Sequence, residues 1–472
     1  MYFPLRESIA DIPLQQKKHK IDTQMRVKSI TATLMATSVL LSCSNPATKE
    51  STAVAPHDWS RQAVIYEVNI RQYTPEGTLA AFTEHLPRLK DLGVDILWLM
   101  PIYPISELNH KGSLGSYYAV ADYQEVNPAF GTKDDVRKLI GEAHDLGMKV
   151  VLDWVANHTG CDHRWTTEHP EWYVHDNENG NFYSPYDWTD TYELDYDKPE
   201  MRRAMVDAMQ YWIREFDIDG FRCDVAYEVP TEFWNEIRPQ LDSVKPMFML
   251  AEAELPELLE QGFDMAYNWP LKNLLFDIAQ GRRTAQSIDT LLVNQEQQFP
   301  QRGVLMNHLT NHDLNSWDGS EFERFGDAVK AFATLVYTIP GMPLIYTAQE
   351  IGLDRRIEFF EKDPVTQWQR NEWFDFYKSL NELKHNNIAL DTYGKWSQVQ
   401  HLSTNSDDVI AYRRTKGDNS VLVVLNLSPR DAEQNINLAD IDLADYRNAA
   451  DGEAAALPAT LPAWSHYVFI KD

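Results

Sequence analysis

The chain is short of positive charge and of cysteine. Its 43 lysines and arginines stand against 71 aspartates and glutamates, a net charge of −28 over 472 residues. Nucleic acid demands a basic footprint, so that class of partner is set aside. The balance suits an exposed, soluble protein with a neutral ligand. The three cysteines, Cys43, Cys161 and Cys223, show no CxxC or Cys/His spacing of the kind that holds zinc. No glycine-rich phosphate loop follows the first strand-like run, which argues against a doubly wound nucleotide-binding sheet. Repeats, coiled-coil heptads and low-complexity segments are also missing. What is present is an ordinary apolar fraction, 43%, and a rich supply of aromatics, 14 Trp and 22 Tyr. Such rings fill cores, and they also stack on sugars.

The apolar stretch 30–41 is too short to cross a bilayer. It follows Arg26 and Lys28 and runs into LLSC (40–43). This resembles a bacterial lipoprotein signal peptide, 25–42, cleaved before Cys43, which is then acylated. Ser44 favours the outer membrane by that resemblance, on its periplasmic or its outer side. Residues 43–58, rich in Ala, Ser, Thr and Pro, read as a tether. Residues 1–24 are polar, contain KKHK and precede a complete signal, so translation is expected to start at Met25.

From residue 62 a rhythm of apolar runs and helical patterns begins. The runs are AVIYEVNI, VDILWLMP (94–101), MKVVLDWV (148–155), IDGFRCDV (218–225), PMFMLAEA (246–253), a short one around AYNW (266–269), VLMNHLTNHD (304–313) and MPLIYTAQE (342–350). Helical spacing fills the gaps, as in 82–93, 133–147 and 199–216. Eight near-continuous apolar strands alternating with helices predict a parallel sheet covered by helices. Over 59–390 that fits a (β/α)8 barrel with an insertion at about 158–196. The insertion is rich in His, Asn, Asp, Trp and Tyr, and a loop that long is usually functional. From 391 to 472 the pattern changes to alternating runs such as DVIAYRR, SVLVVLNL and HYVFI, which predict a small antiparallel β domain.

In such a barrel, chemistry sits at the C-terminal ends of the strands. The polar residues there are Asp153, Asn157 and His158 after the third strand, and Arg222 and Asp224 on the fourth. Glu252 and Glu254 follow the fifth, and Asn311, His312 and Asp313 the seventh. Charges in buried strands are expensive and need a reason. Three carboxylate positions on one rim suit retaining glycoside hydrolysis, which uses an ionised nucleophile and a protonated acid about 5 Å apart. Period two puts Arg222 and Asp224 on one face, where the arginine is expected to hold the aspartate ionised by lowering its pKa. Phe221, Cys223 and Val225 are then expected on the opposite, core-packed face. Glu252 follows the apolar FMLA and is compatible with the acid, which needs a less polar setting.

LDWVANH, DGFRCDVA, MLAEAE and TNHD resemble, in order, the four signature regions of the α-amylase family, glycoside hydrolase family 13. GVDILWLMPIYP, SYYAVADY (116–123), NPAFGT and PLIYTAQE are similar as well, and the resemblance covers about 60–470. It implies a catalytic barrel, a short domain B and a C-terminal β-sandwich. It implies Asp224 as nucleophile, Glu252 as acid/base and Asp313 as transition-state stabiliser. Arg222 pairs with the nucleophile, His158 and His312 bond the sugar, and Tyr118 stacks on it. Asp122, Asp153 and Asn157 are supports around them. Glu254 stands where many relatives have Trp, and is kept as an alternative acid. The Lys-His pair and the Asp-rich calcium loop of many relatives are replaced by AYE (226–228) and RQYTPEGT. No cofactor is therefore required by the resemblance, and Asn157 alone is left as a candidate calcium ligand. Val225 accompanies α-1,6 specificity among related α-glucosidases, while the wider context is closer to amylases.

The function expected is a retaining hydrolase of α-1,4-linked starch-like glucans or maltooligosaccharides. An α-glucosidase, an α-1,6-acting enzyme or a glucanotransferase would use the same intermediate. A non-catalytic glycan-binding lipoprotein, or a transporter-partner ectodomain, is the alternative of another class. Chain-length preference, endo or exo action and oligomeric state have no signature in the sequence.

Overall fold

The computed structural model describes residues 57–176, 178–300, 303–438 and 440–472. The signal, Cys43 and most of the tether lie outside the described residues.

Eight parallel strands close into a barrel, each paired with its neighbours in chain order. They are Ile65–Val68, Ile96–Leu99, Lys149–Val155, Gly220–Asp224, Phe248–Ala251, Met265–Tyr267, Val304–Asn307 and Met342–Tyr346. Every one falls in a run expected from the sequence. The runs overshoot most at the seventh and eighth, whose strands stop at Asn307 and Tyr346, and the first strand stops at Val68, with the chain turning helical over Ile70–Tyr73. The helix expected over 82–93 is two, Leu79–Thr83 and Leu86–Leu92, the second with Pro87 in its first turn, where its missing N–H costs nothing.

Period two sorts each strand into two cores. The outward side chains Tyr66, Leu97, Leu152, Trp154, Phe221, Cys223 and Met249 join the large core beneath the helices. The inward ones, among them Ile65, Ile96, Val151, Leu250, Met265, Met306 and Leu344, fill the barrel as a separate apolar cluster. Two residues further along the same inward faces stand Glu67, Trp98, Asp153, Glu252 and Tyr267. A layer of polar groups thus caps a dry plug. Cys223 is buried in the outer core, as alternation predicts, and Cys161 and Cys223 are both free thiols.

Within the insertion, His158–Gly160 pairs antiparallel with Thr191–Glu193, and Leu194 N–H donates to Asn157 O at 3.0 Å. This small sheet fixes the chain where the third strand leaves the barrel. At the C-terminal end, five antiparallel strands form one sheet in the order Gln400–His401, Val409–Lys416, Asn419–Asn426, His466–Lys471, Arg447–Asn448. One face buries Leu402, Ala411, Leu422, Val424 and Phe469 against Leu461 of a second, two-stranded sheet. The other sends Tyr412 and Val423 into the main core, with Arg414 Nη1 donating to Thr338 O at 3.0 Å.

Gly220 opens the strand that carries Arg222 and Asp224. A Cβ there would stand 2.1 Å from Phe248 O on the neighbouring strand. Gly220→Ala should therefore cost about 1–3 kcal/mol through overpacking. A thermal melt equal to that of the parent would show that the two strands have slack.

Candidate active site

Arg222 is the hub of the polar layer, with no exposed surface. Its Nη1 donates to Asp153 Oδ1 and to Asp224 Oδ1, both at 2.9 Å. Its Nη2 lies 2.9 Å from Glu252 Oε2, an ion pair whose alignment falls outside hydrogen bonding. Nε donates to Tyr267 Oη at 3.2 Å, and the guanidinium rests 5.0 Å from the centre of the Trp98 ring. Asp153 is held from two further directions, accepting from Trp98 Nε1 and Tyr118 Oη, each at 3.1 Å.

Glu252 accepts a second contact, the Val225 N–H at 2.8 Å. To give it, Val225 takes φ +39°, a conformation that β-branched residues almost never adopt. The inward–outward alternation therefore ends at Asp224, and the expectation that Val225 continues the core-packed face is corrected. Backbone strain next to Asp224 accompanies the N–H aimed at Glu252.

The expectation that Arg222 holds Asp224 low is also corrected. Burial comes first and the charge of Glu252 second, and together they outweigh the guanidinium, so the Asp224 carboxyl is pushed well above its usual range. Burial likewise raises Asp153 against the pull of Arg222. Several carboxylates share the one arginine, Asp153, Asp224 and Glu252 among them.

A second cation completes the layer. His312, 2% exposed, donates from Nδ1 to Glu67 Oε1, bonds Tyr118 Oη through Nε2 at 2.8 Å, and lies 3.3 Å from Asp313 Oδ2. Burial opposes its charge, but Asp313 and Glu67 overcome that and raise it to about 9. His158 is the opposite case: burial lowers it to about 4, so it is neutral at pH 7. Its ring lies 5.3 Å from Trp188 of the insertion. The Tyr118 ring faces the cleft beside His312, with centroids 5.4 Å apart and planes 24° apart. Asp313 keeps 41% of its side chain open, in contrast to the 11% of Asp224 and the 13% of Glu252.

The strand ends thus bring together Asp153, Arg222, Asp224, Glu252, His312, Asp313 and Tyr118, with His158 on the rim. Asp122 is not among them; it caps a local turn, accepting from Gln124 N–H at 2.8 Å. Asn157 Nδ2 lies 3.4 Å from His158 Nδ1, and no group of three or more His, Cys, Asp or Glu gathers to hold a metal among the described residues. Glu254 is half-buried, raised by desolvation against the charge of Lys272, and makes no contact with Arg222 among those seen. Sequence reasoning passed over Glu67, Trp98 and Tyr267. Glu67 was findable: it is the one charge in AVIYEVNI, and the cost argument that singles out Arg222 applies to it equally.

The catalytic-domain model of the α-amylase family matches residues 40–172 and 167–379. The chain belongs to the α-amylase family. It is 28% identical to the α-amylase MalA of Haloarcula japonica, over 84% of this chain and 61% of that one. It is also 28% identical to a maltogenic α-amylase of Bacillus acidopullulyticus, over 76% and 64%. The chain therefore spans about three fifths of the length of these curated relatives. Among solved structures, an α-amylase from Lactobacillus plantarum superposes with a TM-score of 0.79 at 31% identity, over 88% of this chain and all of that one.

Glu67→Gln removes one of the two anions, with Asp313, that raise His312. The alkaline limb of kcat/KM should then move down by about one pH unit. A folded pKa raised to about 9 means the stability contribution of His312 is complete below about 6.5 and is lost as pH rises through 9. The melting temperature of the parent should fall across that window, and that of Glu67→Gln should fall less. Identical pH profiles would remove Glu67 from any role.

Proposed function

We propose that the chain is a retaining α-glucan hydrolase acting on α-1,4 linkages of starch-like polysaccharide or maltooligosaccharides. The observation that carries this is the seating of Asp224 and Glu252 on the two terminal nitrogens of one guanidinium. Two carboxylates drawn to one guanidinium suit the close pairing of a retaining enzyme, about 5 Å, better than the roughly 6.5–9.5 Å that leaves an inverting enzyme room for its water. Asp224 attacks the anomeric carbon, and Glu252 protonates the leaving glycosidic oxygen. A glycosyl-aspartate results, and Glu252, now ionised, takes a proton from water to hydrolyse it. Asp313, open to the cleft and beside an imidazolium, is positioned to hold sugar hydroxyls and face the developing oxocarbenium charge. Tyr118, its hydroxyl fixed by Asp153 and His312, offers a pinned ring for the same sugar.

The α-amylase and maltogenic names of the relatives support the substrate class. A glycan-binding protein without turnover would have no use for charges this costly to bury. Asp224→Asn should lower kcat by more than about 10³-fold with the fold intact. Glu252→Gln should cost far more than Glu254→Gln, with the α-anomer released by the parent on maltoheptaose. A larger loss at Glu254 would transfer the acid role there.

The LLSC signal supports export and lipid anchoring at Cys43. In a bacterial host, Cys43→Ser should end palmitate labelling and shift the protein out of the membrane fraction. Unchanged labelling would refute the anchor.

A further inference from the structure

Trp317 has no part in the chemistry of the carboxylates, yet it stands at their side. Among the described residues it is the one exposed tryptophan, 49% open. Isolated surface hydrophobes need no explanation, but Trp317 is not isolated. It belongs to the π-helical turn Leu314–Asp318, which starts directly after Asp313. Such turns are rare and concentrate at functional sites. Its ring lies 5.5 Å from Phe359 and 5.8 Å from Phe360. Phe359 in turn lies 6.3 Å from Tyr118, with planes 14° apart, and 6.4 Å from His312. An unbroken aromatic wall therefore leads from Tyr118 to solvent.

That wall is stiff. Arg356 Nη1 donates to Trp317 O at 3.2 Å, and Arg356 is itself held by Glu323 Oε2 at 2.9 Å. Ser316 Oγ donates to Ile357 O at 2.8 Å, and Ile357 N–H donates to Asn315 Oδ1 at 2.8 Å. A face ordered in advance binds without paying for its own ordering.

The wall also has a side. Glu252 protonates the leaving group, so the departing part of the chain lies toward Glu252 and the segment after Asp224. There Tyr186 donates to Glu228 and stands 4.9 Å from Trp188. Trp317 belongs instead with Asp313, His312 and Tyr118, in the turn after Asp313 and joined to the other two through Phe359. We propose that Trp317 is a sugar-stacking platform for glucosyl units on the non-reducing side of the scissile bond, beyond the one at Tyr118. The proposal rests on the α-glucan reading and deepens it. It makes the fragment retained on Asp224 an oligosaccharide rather than a single glucose.

The test compares parent, Trp317→Ala and Trp317→Phe on maltotriose through maltoheptaose, with products resolved from end-labelled chains. Trp317→Ala should lose about threefold to tenfold in kcat/KM at maltoheptaose, the worth of one aromatic face, and least at maltotriose. Glucose should rise among its products, and Trp317→Phe should keep most of the parent behaviour. A loss equal at all lengths, or none at maltoheptaose, overturns the platform. A parent inert on the whole series overturns the α-glucan reading, and the platform with it.

Discussion

One buried guanidinium sets the terms for the rest of the site. Taking the Arg222 charge out of water costs several kcal/mol even after relaxation. It is repaid by Asp153, Asp224 and Glu252, by Tyr267 Oη and by the face of Trp98. These partners come from five strands, the second through the sixth. The barrel must close in register for all of them to arrive, so the fold and the charge network specify each other. Of the three carboxylates, Asp153 is the one without an open face. It ties the arginine to Tyr118, so Tyr118 and Asp224 are held through the same guanidinium.

Counting charges explains what one arginine cannot do. Glu67, Asp153, Asp224, Glu252 and Asp313 share two cations, Arg222 and the His312 imidazolium. Full ionisation would leave the layer three charges negative, in a place where water is scarce. Carboxyls are pushed up and the histidine is pulled up, each reducing the imbalance. A site starved of positive charge is well matched to a reaction that creates some at an anomeric carbon. His312 is the hinge of this balance, because Glu67 on the first strand and Asp313 after the seventh both act through it.

How much of this was readable in sequence depends on the period of each signal. Seven strands are visible because buried parallel strands are near-continuous apolar runs, while the three-residue Met265–Tyr267 is placed only by the room left around AYNW. The hub was visible because Arg222 and Asp224 interrupt such a run. Glu67 interrupts one too, but the apolar run continues to Ile70 and so places it inside the strand, whereas the strand stops one residue after it. Tyr267 and Trp98 could not be told from core aromatics, since their role lies in one hydroxyl and one ring face that only the closed barrel aims at Arg222. Asp122 was carried over with SYYAVADY, but the turn after it uses the carboxylate locally. The net pKa direction at Asp224 was out of reach, because it depends on how many carboxylates converge rather than on which residue sits two positions away.

Val225 joins these threads. Its side chain is the feature that in related α-glucosidases accompanies linkage preference, and its backbone is the strained element that presents an N–H to Glu252. The two cannot be varied independently. With the roles proposed for Asp224 and Glu252, the N–H of this strained residue helps to fix where Glu252 points, and so where a leaving oxygen must lie to be protonated. Linkage preference would then follow from the direction of that oxygen as much as from contact with a methyl group. On that view the donor side of the cleft, with its pinned Tyr118 and stiff aromatic wall, selects for chain, while the strained turn on the acceptor side selects for bond.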